Sequence, residues 1–221
     1  MKPINKFIDH TLLKPIATES DIIQLCEEAK QYNFYSVCVN SCFADLAYKF
    51  LKDTDVNVCC VVGFPLGAMS TEAKAFEAKE AIKNGAEEID MVINIGFLKS
   101  RDYKAVLNDI SKVKEACGNK VLKVILETCD LTKEEIIKAS ELCVEANADF
   151  VKTSTGFGSG GATQADVKIM KKTVKGKAKI KASGGIRDYE TAKHFIDLGV
   201  ERLGVSSGIA IMNGEKSDAD Y

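Results

Sequence analysis

Eight short apolar runs, about 28 residues apart with an amphipathic stretch between successive runs, limit what this chain of 221 residues can fold into more than any other feature. They are FIDHTLL (7–13), FYSVCVN (34–40), VNVCCVVGF (56–64), EIDMVIN (88–94), VLKVILE (121–127), DFVKTS (149–154), KIKAS (179–183) and RLGVS (202–206). Each is apolar or β-branched enough to be a strand covered on both faces, as strands of a parallel sheet are. The stretches between them bear helix signals. Thr18 with Asp21, Thr132 with Glu135 and Thr163 with Asp166 have the spacing of capping boxes, and Gly85 and Gly199 sit where helices should end. Ile22, Leu25, Cys26 and Ala29 repeat at the three-and-four spacing of a helix with one apolar face.

Every run but the last is followed by a clear helix pattern. Such alternation calls for right-handed parallel crossovers, and eight of them in a chain of this length suit a closed (β/α)8 TIM barrel, an α/β fold in one domain over residues 1–221. The polar end, 214–221, reads as a mobile tail. An open doubly wound sheet is the alternative, but it needs a glycine fingerprint after its first strand, and FIDHTLLKPIATES contains no glycine.

Composition narrows the partners. A net charge of -2 without a basic run argues against nucleic acid and leaves a small molecule as the default. No stretch approaches the roughly 18 apolar residues of a membrane span. The N-terminal MKPINKFIDHTLLKP has charges on both sides of its apolar part and does not read as a signal peptide, so the expected location is the cytoplasm. The eight cysteines fall inside apolar patterns and not at loop spacings, as reduced core thiols do. With no C-x-x-C pair and only His10 and His194, no metal site is expected, and both histidines read as structural.

In a barrel of this kind, chemistry gathers where strands end and loops begin. The informative residues are therefore the charges embedded in the apolar runs: Asp9, Asp90, Lys123, Glu127, Lys152 and Lys181. Lys152 and Lys181 fall on consecutive strands near their loop ends. Two ammonium groups so placed depress each other's pKa, as does partial desolvation. A lysine must be neutral to act as a nucleophile, and with an ordinary pKa near 10.4 this takes about 4 to 5 kcal/mol of differential destabilisation of the charged form. Asp90 would then accept a proton or hold Lys181. The same six residues read equally well as a salt-bridge network filling the barrel mouth.

Two further segments weigh against a purely structural network. ASGGIR follows the seventh run and GVSSG the eighth, the positions where this architecture usually cradles a phosphate on glycine amides. Arg187 can add a bidentate contact, and Ser206 and Ser207 offer hydroxyls. A reactive lysine beside a phosphate cradle points to Schiff-base chemistry on a phosphorylated carbonyl compound. Three rivals stay open: a different Schiff-base aldolase or transaldolase, a pyridoxal phosphate enzyme, and a non-catalytic sugar-phosphate binder.

DFVKTSTGF, KIKASGGIR, EEIDMVINIG, FIDHTLL and LKVILET resemble, in order, the motifs of the deoxyribose-phosphate aldolases, class I aldolases on a (β/α)8 barrel. The resemblance runs from about residue 7 to residue 210. It implies reversible cleavage of 2-deoxy-D-ribose 5-phosphate to D-glyceraldehyde 3-phosphate and acetaldehyde, with no cofactor. It implies Lys152 as the Schiff-base former, Lys181 as the second catalytic lysine and Asp90 as the proton-relay acid. The phosphate would lie on Gly156, Gly184, Gly185, Ile186, Arg187, Gly204, Ser206 and Ser207, and Asp9 would help hold the second lysine. Some relatives have a cation directly after STG where this chain has Phe157, which shifts phosphate binding toward Arg187 and the backbone. Some end in a tyrosine that reaches the site. Tyr221 is the matching residue, or simply part of a solvated terminus. Cys38 matches a reactive cysteine of some relatives, but an ordinary buried thiol is the preferred reading. A homodimer is the expected assembly, because barrels of this kind are commonly dimers.

Overall fold

A computed structural model describes residues 2–217; Tyr221 lies outside the described residues. The eight apolar runs form eight strands: β1 Ile8–Leu12, β2 Ser36–Asn40, β3 Asn57–Val62, β4 Glu88–Val92, β5 Val121–Ile125, β6 Phe150–Lys152, β7 Lys179–Ser183 and β8 Arg202–Val205. They pair in parallel in chain order and close through β8 on β1, giving the (β/α)8 barrel.

The helices are α1 Glu19–Gln31, α2 Ala44–Leu51, α3 Thr71–Lys83, α4 Ile95–Lys99, α5 Tyr103–Cys117, α6 Lys133–Glu145, α7 Gln164–Val174, α8 Tyr189–Asp197 and α9 Gly208–Asn213. Thr18 and Thr132 make full capping boxes with Asp21 and Glu135. Thr163 caps the backbone N–H of Asp166 and donates its hydroxyl to the Asp166 carboxylate. Gly85 and Gly199 follow helix ends at φ +101° and +82°, a region in which a side chain is strained. Two connections differ from the simple alternation. The β4 crossover holds two helices, and the last strand, for which the sequence shows no clear helix, is followed by the short α9. Its pattern GIAIMN has no polar face to mark it.

The main apolar core lies between strands and helices, where outward residues such as Ile8, Val37, Ile89, Val124, Val151 and Leu203 pack on the inner faces of the helices. A second, small apolar cluster of Leu13, Cys38, Cys59 and Val61, with Phe64 against it, lines the β1–β3 side near the mouth. Charge occupies the rest of the barrel axis. Glu215 is tied back to Ala210, and the Ser217 N–H donates to the Arg187 carbonyl at 3.0 Å, so the first part of the polar end packs beside the β7 loop.

Candidate active site

Alternation along a strand sends every second residue inward, and the register between neighbouring strands decides which inward residues meet. Asp9 on β1 stands opposite Ser36 on β2 and Gly204 on β8. Asp90 on β4 stands opposite Val61 and Lys123, and Lys152 on β6 opposite Ile125 and Lys181. Lys181 is in turn opposite Arg202. The sequence therefore brings Asp9, Asp90, Lys123, Lys152 and Lys181 into one buried cluster. Two further members, Glu88 and Arg202, open their strands at the barrel floor.

Asp90 is the hub. One oxygen accepts hydrogen bonds from Lys152 at 2.7 Å and Lys181 at 2.8 Å; the other accepts from Lys123 at 2.7 Å and from the Cys59 thiol at 3.1 Å. Lys181 also donates to Asp9 at 2.5 Å, and the other Asp9 oxygen accepts from Ser36 at 2.7 Å. Below, Lys123 pairs with Glu88 at 2.7 Å, and Arg202 bridges Glu88 and Asp9, the latter at 3.2 Å, with its guanidinium 3.4 Å above the Tyr35 ring centre. Gly204 contributes space: a Cβ there would come within 3.0 Å of the Lys181 stem.

Counting charges makes the arrangement informative. Lys123, Lys152, Lys181 and Arg202 are four cations against the three carboxylates Asp9, Glu88 and Asp90. Lys123, Lys181 and Arg202 each touch two carboxylates, and Lys152 touches Asp90 alone. Burial would push the Asp90 carboxyl up, but Lys123, Lys152 and Lys181 overcome it and hold it well below the usual range. The expectation that Lys181 is depressed by its lysine neighbour is corrected here. Burial and Lys123 do push its pKa down, yet Asp9 and Asp90 outweigh them and the net shift is upward. Burial likewise opposes the charge on Lys123, and Asp90, Cys59 and Glu88 raise it well above the ordinary lysine value. Glu127 is not part of this cluster; its carboxylate accepts from the backbone N–H and hydroxyl of Thr155.

Beside Lys152 the loops after β6 and β7 come together. Ser183 donates its hydroxyl to the Ser154 carbonyl at 2.6 Å, and the Ala162 N–H reaches the carbonyls of Ser183 and Gly184 at 3.0 and 3.1 Å. Gly161 and Gly184 touch so closely that a Cβ on Gly161 would lie 2.2 Å from the Gly184 carbonyl oxygen. These loops enclose a cavity of about 330 Å³ bordered by Gly156, Gly158, Gly184, Gly185 and Arg187. Gly156, Gly184 and Gly185 have φ between +78° and +90°, so backbone, and not side chains, faces the opening. The Ile186 side chain is buried in the core, which leaves only its backbone to such a site. Ser206 borders a separate cavity of about 370 Å³ with His10, Thr11 and Gln24, and Ser207 is the buried residue before α9.

Phe157, where some relatives have a cation, meets Phe64 edge to face at 5.3 Å. His10 donates from Nε2 to the Glu28 carboxylate at 2.7 Å outside the barrel wall, and His194 meets Gln164 at 3.2 Å, both apart from the lysines. Cys38 and Cys59, opposite each other on β2 and β3, and Asp90 are the only described residues grouped closely enough to hold a metal ion, their donor atoms lying within 4.8 Å. Three ammonium groups already occupy the Asp90 oxygens, which opposes a cation there.

Comparison with known proteins matches residues 4–214 to a family model described as DeoC/LacD family aldolase. The chain is 59% identical to a deoxyribose-phosphate aldolase of Carboxydothermus hydrogenoformans, covering 99% of this chain and 97% of that one. It is 60% identical to that of Clostridium novyi, covering 97% of each. A solved deoxyribose phosphate aldolase from Aeropyrum pernix, described as a unique tetramer, superposes with a TM-score of 0.84 at 32% identity, covering 95% of this chain and 89% of that one. On the family model and these relatives together, the chain belongs to the DeoC/LacD family of aldolases.

Proposed function

We propose that this protein is a deoxyribose-phosphate aldolase acting through a Schiff base on Lys152. The observation that supports it most is the charge excess. Four buried cations share three carboxylates, and removing one proton makes the cluster neutral. Lys152 has one carboxylate partner where the other three have two, so it is the cation the carboxylates hold by a single contact. It is also the last residue of β6 and the one of the three lysines whose side chain is not wholly buried, with the glycine cavity on the adjoining loops.

In the cleavage direction the Lys152 amine adds to C1 of the open-chain sugar phosphate, and loss of water gives an iminium. The Asp90 carboxylate takes the C3 hydroxyl proton, the C2–C3 bond breaks, and its electron pair flows into the iminium to form an enamine; the proton on Asp90 later replaces the one that Lys181 gives to C2. Glyceraldehyde 3-phosphate leaves. Reprotonation at C2 and addition of water then release acetaldehyde and free the amine. The glycine amides and Arg187 hold the distant phosphate, so binding energy from a group that does not react aligns the one that does. The low carboxyl pKa of Asp90 keeps it an acceptor, and Lys181, held charged, is the donor that can return the proton.

Borohydride reduction with acetaldehyde, followed by peptide mass mapping, tests this reading. A reduced two-carbon adduct on Lys152 is the expected result; an unmodified Lys152, or an adduct only on Lys181, would sink it. The cytoplasmic location and the homodimer belong to the same proposal. Among the described residues no helix is long and apolar enough to cross a membrane. Light scattering should give twice the 24.0 kDa chain mass, and a fourfold mass would replace the dimer with a tetramer.

A further inference from the structure

Glu127 is a buried charge that the lysine chemistry leaves unused, and it lies beside the glycine cavity. It ends the fifth apolar run with φ +57°, a left-handed conformation that a residue with a side chain keeps only when its surroundings hold it. The carboxylate is turned sideways, off the barrel axis, onto the loop that follows β6. There it accepts the Thr155 N–H at 3.2 and 3.3 Å and the Thr155 hydroxyl in a short hydrogen bond. The Thr155 oxygen in turn accepts the Phe157 N–H at 3.0 Å. A threonine hydroxyl has one proton and two lone pairs, so committing the proton to Glu127 leaves the oxygen free to anchor the next amide in a fixed direction.

The following residue is seated on the same carboxylate. A Cβ at Gly158 would come within 3.1 Å of the Glu127 carboxyl carbon and 2.9 Å of the Cys129 sulfur. The Glu127 carboxylate thus holds the turn at Thr155 and abuts it at Gly158, while Phe157 between them packs on Phe64. Gly156 and Gly158 form one wall of the cavity that also holds Gly184, Gly185 and Arg187. The strand below it is secured separately, by backbone bonds from Leu126 N–H to the Lys152 carbonyl at 2.9 Å and from Thr128 N–H to the Thr153 carbonyl at 3.0 Å. Two attachments of different kinds therefore hold the lysine and the turn.

We propose that Glu127 is a positioning residue that shapes the Thr155–Gly158 wall of the phosphate cavity, and that capture of the phosphorylated substrate depends on it while the step at Lys152 does not. This rests on the aldolase reading above. In steady-state cleavage of deoxyribose 5-phosphate, Glu127→Ala should raise KM by about tenfold to a hundredfold with kcat changed by less than about threefold. Glu127→Gln keeps an acceptor oxygen and should recover most of the loss. Thr155→Val removes the other end of the contact without touching Glu127, and the double variant Glu127→Ala/Thr155→Val should be no worse than the weaker single one. A fall in kcat at constant KM, or losses that multiply in the double variant, would overturn the assignment. Borohydride trapping of the wild-type protein with acetaldehyde runs alongside: failure there ends the aldolase reading, whereas a normal adduct with an unchanged KM in Glu127→Ala ends this one alone.

Discussion

Lys74 and Lys152 are both buried lysines facing an aspartate at nearly the same distance, and the difference between them lies in what surrounds the pair. Lys74, on α3, donates to Asp109 on α5 at 2.6 Å and to the Val92 carbonyl at 2.9 Å, while Thr71 donates to the other Asp109 oxygen at 3.0 Å. One ammonium meets one carboxylate, and the site is closed and neutral. Lys152 meets Asp90 at 2.7 Å, but Asp90 also serves Lys123 and Lys181. Burial alone does not make a lysine reactive. Burial pushes the Lys74 ammonium down against the pull of Asp109, but each charge there has its own partner; around Asp90 one carboxylate is shared by three ammonium groups, and the cluster holds one cation more than its anions match.

Removing each lysine is the direct way to break this comparison. Lys152→Met should lower turnover by about 10⁴-fold or more, because no other amine stands in the same place. It should leave the melting temperature unchanged or raised, since the three cations that remain, Lys123, Lys181 and Arg202, match the three carboxylates. Retained turnover, or a large loss of stability, would show that Lys152 is a structural ion like Lys74. Lys74→Met is expected to do the reverse. It leaves Asp109 buried without its cation and should cost about 3 to 5 kcal/mol in urea unfolding, with kcat per folded molecule unchanged. Lys74→Met/Asp109→Leu should regain most of that loss. A double variant as unstable as the single one would mean that the pair does more than balance its own charges.

The contrast also marks how far the sequence is legible. Parallel strands are covered on both faces, so all eight announce themselves as apolar runs, and a charge within the strand part of such a run has only the barrel axis to face, as Asp9, Asp90, Lys123, Lys152 and Lys181 do. Glu88 and Arg202 escape notice because they occupy the first positions of their strands, where a charge ordinarily reaches solvent. The upward shift of Lys181 was not legible either. It depends on β8 closing on β1, a contact between chain ends that brings Asp9 against Lys181, and neighbouring-lysine repulsion is only the local part of the balance. Helix α3 inverts its own pattern: in TEAKAFEAKE the lysine at 74 is buried and Phe76 is 67% exposed. Lys74 shares a face with Ala78 and Ala81, whose small side chains leave room for its stem, but nothing in the structure explains the exposed phenylalanine. Glu127 stands in an apolar run like Asp90, Lys123 and Lys152, and only its left-handed backbone turns it away from them.

Asp9 gives the smallest effect and the finest test of the two-carboxylate hold on Lys181. Burial pushes its carboxyl up, but Arg202 and Lys181 overcome burial and hold it at about 2, against an ordinary 3.8. Above pH 3.8 the group is ionised in both folded and unfolded chains, and its contribution to stability is complete. As the pH falls below that value the unfolded chain takes up the proton first, so folding loses ground until the folded carboxyl is also protonated near pH 2. The gap corresponds to about 2 kcal/mol, lost between roughly pH 4 and 2. Urea unfolding across that range should show the decline in the wild-type protein and a shallower one in Asp9→Asn, the difference being the share that belongs to Asp9. Equal slopes would mean that the Lys181 charge is held by Asp90 alone. Asp90 would then carry Lys181 in addition to Lys123 and Lys152 without help from β1, a heavier load than Asp109 bears for Lys74.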